Sequence, residues 1–266
     1  MDGPEIVHHR CFHSPWFDSM TKSSVSQTLR VPISGLTEGP YALEAGTARY
    51  VTRVHRLRAG DTFLVFDPEQ GLEGRARLLT DGAPVTCEVG ELRVGERPGL
   101  SQLRLVQALG KADKPERVIR DATALGVGRI TFVQSERSVV KLTPRSASKL
   151  ERWKSLALEA ARQSLRTDLP LLDEPVPLES YLKSPPRGPE WVLQPEGTTR
   201  LSALAGNEQP ITLFIGPEGG FSPEEQRRFV QRGAQLVSLG PWVLRTELAA
   251  TAALTLVVHA QLARVP

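Results

Sequence analysis

The amino-acid sequence predicts an α/β protein in two parts, and three observations carry that reading. Over residues 1–98, short β-branched and aromatic runs are punctuated by turn residues at regular spacing. Over residues 99–266 the pattern changes to strand, helix, strand, with helical apolar stripes between β-branched runs. Between the two, Glu96-Arg97-Pro98-Gly99 reads as a linker, because Pro and Gly end one unit before the next begins. The 266 residues suit two domains of roughly 100–200 residues each. The expected division is 1–98 and 99–266.

In the first part, residues 13–28 are polar and Ser/Thr-rich and read as an irregular surface excursion. Tyr50–Leu57, Asp61–Asp67, Leu72–Leu79 and Pro84–Leu92 are candidate strands, separated by turns at Ala59-Gly60, Pro68–Gly71 and Asp81-Gly82. Short strands at this spacing suggest a small barrel. In the second part Leu103–Ala108 is a strand, and Asp113 caps a helix with Glu116 as its reciprocal partner. Val118, Ile119, Ala122 and Leu125 share one face of that helix, and Gly126 stands just past its end. Arg129–Gln134 is the next strand. A long helix over Ser146–Leu165 follows, with Leu150, Trp153, Leu156 (or Ala157) and Ala160 as its apolar stripe. After a connector containing Pro170, Pro175 and Pro177, strands recur at Trp191–Gln194, Ile211–Ile215 and Gln235–Leu239, and helices begin at Ser222 and Thr246. This alternation argues for a largely parallel sheet covered on both faces. The last helix, 248–263, is apolar on nearly every side, which places it at the domain centre or in a subunit interface. His259 within it reads as a core or interface histidine rather than a catalytic one.

Composition narrows the function. With 40% hydrophobic and 24% charged residues the chain can bury a core. Cys11 and Cys87 are far apart and have no His pairs nearby, so neither a disulfide framework nor a metal site is expected. The N-terminus lacks an apolar signal core, and no stretch approaches the ~18 apolar residues of a membrane span. The expectation is a cytoplasmic protein without a membrane anchor. The net charge of +3 conceals an asymmetry, since residues 99–166 hold 14 basic and 6 acidic residues, a net of +8. The 98 residues before them total −2, and the 100 after them −3. A basic block inside a folded domain often faces phosphates.

The strongest local signal is ITLFIGPEGGFSPEE, residues 211–225. A β-branched strand runs into Gly216-Pro217-Glu218-Gly219-Gly220, Ser222 caps a helix, Pro223 takes its first position and Glu225 closes a capping box. Three glycines and a buried-looking acid at the carboxyl end of a strand allow close backbone approach to a ligand, although a tight turn alone could use them. No Lys-Ser/Thr follows and the G-x-G-x-x-G spacing is absent, so neither a P-loop nor a dinucleotide fingerprint is present. A nucleotide-like ligand held by backbone is what fits. The same logic repeats at Leu236–Leu239, which leads through Gly240-Pro241-Trp242-Val243-Leu244-Arg245-Thr246-Glu247 into the last helix. Thr246 is a reasonable N-cap and Glu247 complements the positive helix end. Arg245 stands at the same sheet edge as the glycine loop, where a solvated arginine is equally common.

GPEGGFSPEE, LGPWVLRTELAATAAL, SERSVVKL (135–142), EAARQSLR (159–166) and GKADKPERVIRDATALGV (110–127) together resemble the RsmE family, ribosomal RNA small subunit methyltransferases of the SPOUT superfamily. The resemblance runs over the whole chain in the expected order. It implies a PUA-like β-barrel that helps bind RNA, followed by a SPOUT-type α/β domain with a deep trefoil knot. It also implies S-adenosylmethionine bound in the knot and a homodimer formed there and through the C-terminal helix. The implied reaction is methylation of uridine N3 in 16S rRNA, within the assembled small subunit and without a metal. Carried over by position, the cofactor residues are Leu193 and Gln194, Gly216, Pro217, Glu218, Gly219 and Gly220, then Leu239, Gly240, Val243, Leu244, Arg245 and Thr246. Candidate RNA contacts are Arg53 and Arg56 in the first part, with Lys111, Lys114, Arg137, Lys141, Gln163 and Arg166 in the second; each taken singly also fits a solvated surface residue. The chain departs from the family pattern at Ala124, Arg162 (commonly an acid), Leu165 (frequently Gly), Trp242 (typically Arg) and Leu248.

Uridine N3 carries a proton and becomes nucleophilic only as that proton leaves, so the site must favour the anion. Arg245 fits a stabiliser of the charge on O2 and O4. Glu247 fits an acid that orients Arg245 or accepts the proton through water, or one that only complements its helix terminus. Glu218 suits a sulfonium cation. Two further readings stay open on these residues: a non-catalytic RNA-binding protein of the same fold, and a SPOUT methyltransferase acting on another RNA site.

Overall fold

A computed structural model describes residues 29–95, 102–204 and 210–263, with backbone alone at 144–148. Cys11, the 13–28 excursion and the 96–99 linker lie outside the described residues.

The first part is a five-stranded sheet. Its strands are β1 (Arg30–Pro32), β2 (Gly39–Ala42), β3 (Thr62–Asp67), β4 (Leu72–Thr80) and β5 (Thr86–Val94), in the order β1-β3-β4-β5-β2. Only β1 and β3 run parallel. Among the described residues the path is open, with β1 and β2 as its ends and no ladder closing it. The pleat puts Phe63, Val65, Ala76, Leu78, Cys87 and Val89 into one core. Burial pushes the Cys87 thiol up to about 11, which keeps it a neutral apolar group. The turn after β3 is held by Asp67, which accepts from the backbone of Leu36, Glu69 and Gln70.

Tyr50–Leu57 is not a strand. Between β2 and β3 the chain forms α1 (Ala45–Arg49), which widens into a π-turn over Tyr50–Val54. Val51 and Val54 are β-branched, but the apolar set at 50, 51, 54 and 57 has helical spacing. Val51 is fully buried beneath the helix and closes the sheet's core. Packing outweighs strand propensity here.

The second part is an eight-stranded sheet with every ladder parallel. Its strands are β6 (Arg104–Ala108), β7 (Arg129–Gln134), β8 (Leu171–Leu172), β9 (Val176–Pro177), β10 (Glu190–Leu193), β11 (Thr199–Arg200), β12 (Thr212–Ile215) and β13 (Gln235–Ser238). The order is β11-β13-β10-β12-β6-β7-β8, and β9 also pairs with β7. Alternate residues feed opposite faces. Leu105, Leu213 and Ile215 pack under α2 (Lys114–Ala124), α3 (Pro144–Gln163) and α7 (Thr246–Leu262). Val106, Val192 and Phe214 pack on the other face with Phe221 and Phe229, the latter on α6 (Pro223–Gln231). The short helices α4 (Leu178–Leu182) and α5 (Leu201–Leu204) complete the layers.

Two local expectations change. Asp113 makes no capping bond: it pairs with Arg117 at 3.5 Å, while Glu116 binds Arg152 at 2.8 Å, and Pro115 is the second residue of α2. Arg245, not Thr246, occupies the cap position of α7, because the Thr246 hydroxyl is used elsewhere. That helix buries Ala250, Ala253, Leu254 and Val257 but exposes Leu248, Leu256 and Leu262, and His259 lies on the exposed side. The Ser222–Glu225 capping box forms as expected. No described helix is long and apolar enough to cross a membrane.

One crossing organises the sheet. β10 and β11 are separated by only five residues, 194–198, yet they pair with opposite edges of β13: Leu193 and Thr199 both lie beside Val237. The connection therefore straps across β13. At Gly197 a Cβ atom would come within 2.5 Å of the Val237 carbonyl carbon. Beyond α3, the chain turns through Leu165, whose φ of 62° is left-handed and strained for a residue with a Cβ.

Gly197→Ala should cost about 3 kcal/mol by overpacking backbone that cannot retreat, read from the urea midpoint at unchanged m-value. Leu165→Gly should stabilise by about 0.5–1 kcal/mol, since strain relief exceeds the added freedom of the unfolded chain.

Candidate active site

The adjacent parallel strands β13, β10 and β12 deliver their carboxyl ends side by side. Leu193-Gln194, Gly216–Gly220 and Leu239–Thr246 thus surround one cleft of about 330 Å³. It is lined by twelve of the thirteen residues the sequence reading nominated for a cofactor. Gly219 is the exception: it faces outward, and its carbonyl accepts from Arg137 Nη1 at 3.0 Å. Ile215, Pro195, Trp242 and Ala249 complete the lining. Gly220 and Gly240 take φ of 67° and 149°, which only glycine adopts freely. A Cβ on Gly216 would press on the Phe221 ring at 3.3 Å.

Gln194 is the cleft's polar signature. Its backbone N–H is used by Val237 O at 2.9 Å, and its side chain is buried, but Nε2 has no partner among the described residues. A buried amide donor left open in a cleft costs free energy unless a ligand accepts from it.

Two side-chain nodes fix the loops around this space. Gln107, 1% exposed on β6, donates Nε2 to Thr246 Oγ1 at 2.8 Å, and Thr246 donates onward to Gly216 O at 2.6 Å. This chain ties the start of α7 to the glycine loop through β6, the strand next to β12. Sequence reading missed Gln107, although a glutamine inside the apolar run RLVQA was a signal for a buried polar role.

Lys114 forms the second node. From the first turn of α2 its Nζ lies 2.6 Å from Glu218 Oε1 and 3.4 Å from Glu247 Oε2. Glu218 is therefore at the rim rather than buried, and Lys114 pairs with carboxylates rather than standing free for a phosphate. Glu247 is turned toward Lys114, not toward Arg245. The hydrogen bond to Lys114 holds the Glu218 carboxyl below its ordinary value, and the same bond raises the Lys114 ammonium. Arg245 lines the cleft with an exposed side chain that makes no bond among the described residues.

The remaining nominated RNA contacts divide. Arg53, Arg56, Lys111, Lys141 and Gln163 are exposed. Arg166 is not available: its side chain is 8% exposed, forked onto Asp168 at 2.8 and 3.2 Å and bound to Thr123 O. Arg137 clasps the glycine loop. Among the described residues no cluster of His, Cys, Asp or Glu is placed to hold a metal ion.

Known proteins share this architecture. A family model described as RNA methyltransferase domain matches residues 97–258. The ribosomal RNA small subunit methyltransferase E of Synechocystis is 35% identical over 228 residues, 82% of this chain and 73% of that protein. The Bacillus subtilis protein of the same name is 27% identical over 90% of this chain and 94% of its own. Among solved structures, that of the Neisseria gonorrhoeae ribosomal RNA small subunit methyltransferase E bound to S-adenosyl methionine superposes with a TM-score of 0.77 at 26% identity, covering 86% of this chain and 95% of that one. A Legionella pneumophila methyltransferase in complex with SAM gives 0.80 at 29%, covering 88% and 98%.

Thr246→Val should cost about 1–3 kcal/mol by removing the Gln107 Nε2 bond at 2.8 Å and the partner of Gly216 O, seen in chemical denaturation. Lys114→Met should lower stability most between the depressed Glu218 pKa and the raised Lys114 pKa. The depressed carboxyl contributes stability that is lost as pH falls through its folded pKa, so the difference between parent and variant shrinks in acid. Unfolding curves across pH check the sign; a difference that grows on acidification contradicts the pairing.

Proposed function

The chain belongs to the ribosomal RNA small subunit methyltransferase E family of RNA methyltransferases, and from that premise we propose that it methylates N3 of a uridine in 16S rRNA within the small subunit. It is an S-adenosylmethionine-dependent rRNA methyltransferase. The observation that carries the finer reading is the cleft at the ends of β10, β12 and β13, with an exposed arginine at its mouth and an open amide in its wall.

The cleft fits the cofactor. Its volume falls in the range of about 300–1,000 Å³ typical of small-molecule sites, its glycines let backbone approach closely, and Gln194 Nε2 lacks an acceptor that a ligand can provide. Gln194, Gly216–Glu218, Gly220, Leu239, Gly240 and Trp242–Leu244 would hold it. Bound S-adenosylmethionine supplies a methyl group on a sulfonium, an electrophile that needs only an aligned nucleophile. Glu218, negative at the rim, complements that positive charge.

The chain's own contribution is to make N3 a nucleophile and to aim it. Arg245 donates to the uracil oxygens, where charge accumulates as the N3 proton departs, and so favours the anion. Glu247 acts through Lys114: the ion pair fixes the first turn of α7, on which Arg245 sits. Thr246, held by Gln107, fixes the same turn from the other side. Holding the two reactants in line provides most of the remaining rate.

The rest of the reading has structural support of a coarser kind. The strap across β13 accords with a trefoil-knotted chain. Trp242 and Val243 on the site loop, each 79% exposed, and the exposed Leu248 and Leu256 on α7 are apolar groups that a second copy would cover, supporting a homodimer. The five-stranded sheet of 1–98 supports a PUA-like RNA-binding unit ahead of a methyltransferase domain at 99–266, and the protein acts in the cytoplasm.

Arg245→Ala should reduce kcat for methyl transfer to rRNA by about 10²–10³ and change cofactor affinity, read by calorimetry, far less. Arg245→Lys should recover part of the rate. Equal losses in both quantities would make Arg245 a cofactor ligand only. Affinity for rRNA should fall steeply with salt, with a log–log slope of several units; a flat salt response contradicts phosphate recognition.

A further inference from the structure

The two sheets meet at the carboxyl end of α3, and arginines form the joint. Arg30 on β1 has a side chain only 2% exposed. Its Nη1 donates to the main-chain oxygens of Ala161 and Arg166, at 3.2 and 2.5 Å, and its Nη2 to Glu73 at 3.0 Å. Its guanidinium lies over the Phe66 ring at 4.1 Å. Ala161 lies in the last turn of α3, where the helix dipole favours a cation, and its carbonyl also accepts from Arg166 N–H at 3.0 Å; Arg166 stands three residues past the helix. Burial lowers the Arg30 pKa and Glu73 opposes that shift, yet a guanidinium keeps its charge in proteins.

The joint is reciprocal. Arg162 on α3 donates Nε to Arg30 O at 3.0 Å and stacks over Tyr50 at 4.3 Å. A carboxylate there could neither donate to that carbonyl nor lie favourably on the ring face. Tyr50 opens the π-turn that carries Arg53, and Arg56 follows it at a left-handed φ of 57°. Gln163 is the next residue after Arg162. Three of the nominated RNA contacts, from two different units, therefore adjoin this one joint.

We propose that Arg30 and Arg162 are positioning residues for the rRNA substrate: they hold the Tyr50–Arg56 segment against the end of α3, so that Arg53, Arg56 and Gln163 present one RNA-binding face. This rests on the rRNA reading above and deepens it. The joint stands apart from the cofactor cleft, and none of its residues lines it.

Arg162 is half-buried and tolerates substitution better than Arg30, so the test is made there, on the full chain. Three variants are compared with the parent: Arg162→Met, Arg162→Lys, and Lys149→Met, which removes the same charge from an exposed position of the same helix. The dissociation constant for small-subunit rRNA is measured by filter binding at fixed salt, cofactor affinity by calorimetry, and KM and kcat by methyl transfer. Arg162→Met should weaken rRNA binding and raise KM by about tenfold with kcat and cofactor affinity within twofold of the parent. Lys149→Met should weaken rRNA binding by less than about threefold, and Arg162→Lys should regain most of the loss. The proposal is overturned if Arg162→Met binds rRNA like the parent or like Lys149→Met, or if cofactor affinity falls in step. A parent that binds rRNA but transfers no methyl would contradict the assigned reaction, while the ratio of rRNA affinities would still decide the joint.

Discussion

Where the connection between β10 and β11 lies across β13, two pieces of backbone touch with no room for a side chain between them. Gly197 rests on the Val237–Ser238 peptide, and a single methyl group would collide with it. That contact lets β13 pair with β10 on one edge and β11 on the other, and so brings the ends of β10, β12 and β13 to one place. With the β10–β12 ladder and the Thr246 bridge, it makes the glycine loop, the Arg245 loop and Gln194 neighbours. Each would be an unremarkable strand end in a sheet wound the ordinary way.

Around that frame the polar groups divide their labour. Thr246 and Lys114 do not face the cleft as reagents. Thr246 is spent bridging Gln107 and Gly216, and Lys114 is spent on Glu218 and Glu247. Both immobilise the first turn of α7, and Arg245 alone at that turn keeps an uncommitted side chain in the cleft. Its backbone is fixed by these neighbours, so its charge stays at the cleft mouth where charge develops. The arginine joint at Arg30 and Arg162 does for the substrate face what these nodes do for the cleft.

Much of this was legible in the residues. The strands around Leu105, Ile130, Phe214 and Val237 and the capping box at Ser222 follow from periodicity and capping chemistry, and the structure moves their bounds by a residue or two. The glycine loop and the Arg245 loop could be placed at one sheet edge because parallel sheets bind ligands there. Long-range pairing was not legible. Glu247 reads locally as a helix-terminal acid, and nothing nearby in sequence announces that Lys114, more than a hundred residues earlier, is its partner. Arg166 reads as an exposed cation in a basic block, and only the fold turns it onto Asp168. Tyr50–Leu57 shows the limit of propensity: Val51 and Val54 suggest a strand until the core that needs Val51 from above is known. The strap itself has no local signature beyond a glycine at 197.

Mass mapping of modified nucleosides in small-subunit rRNA, from cells with and without this protein, bears most directly on the assigned reaction. An N3-methyluridine present with the protein and absent without it is the predicted result. An N3-methyluridine signal that is unchanged when the protein is removed would contradict it.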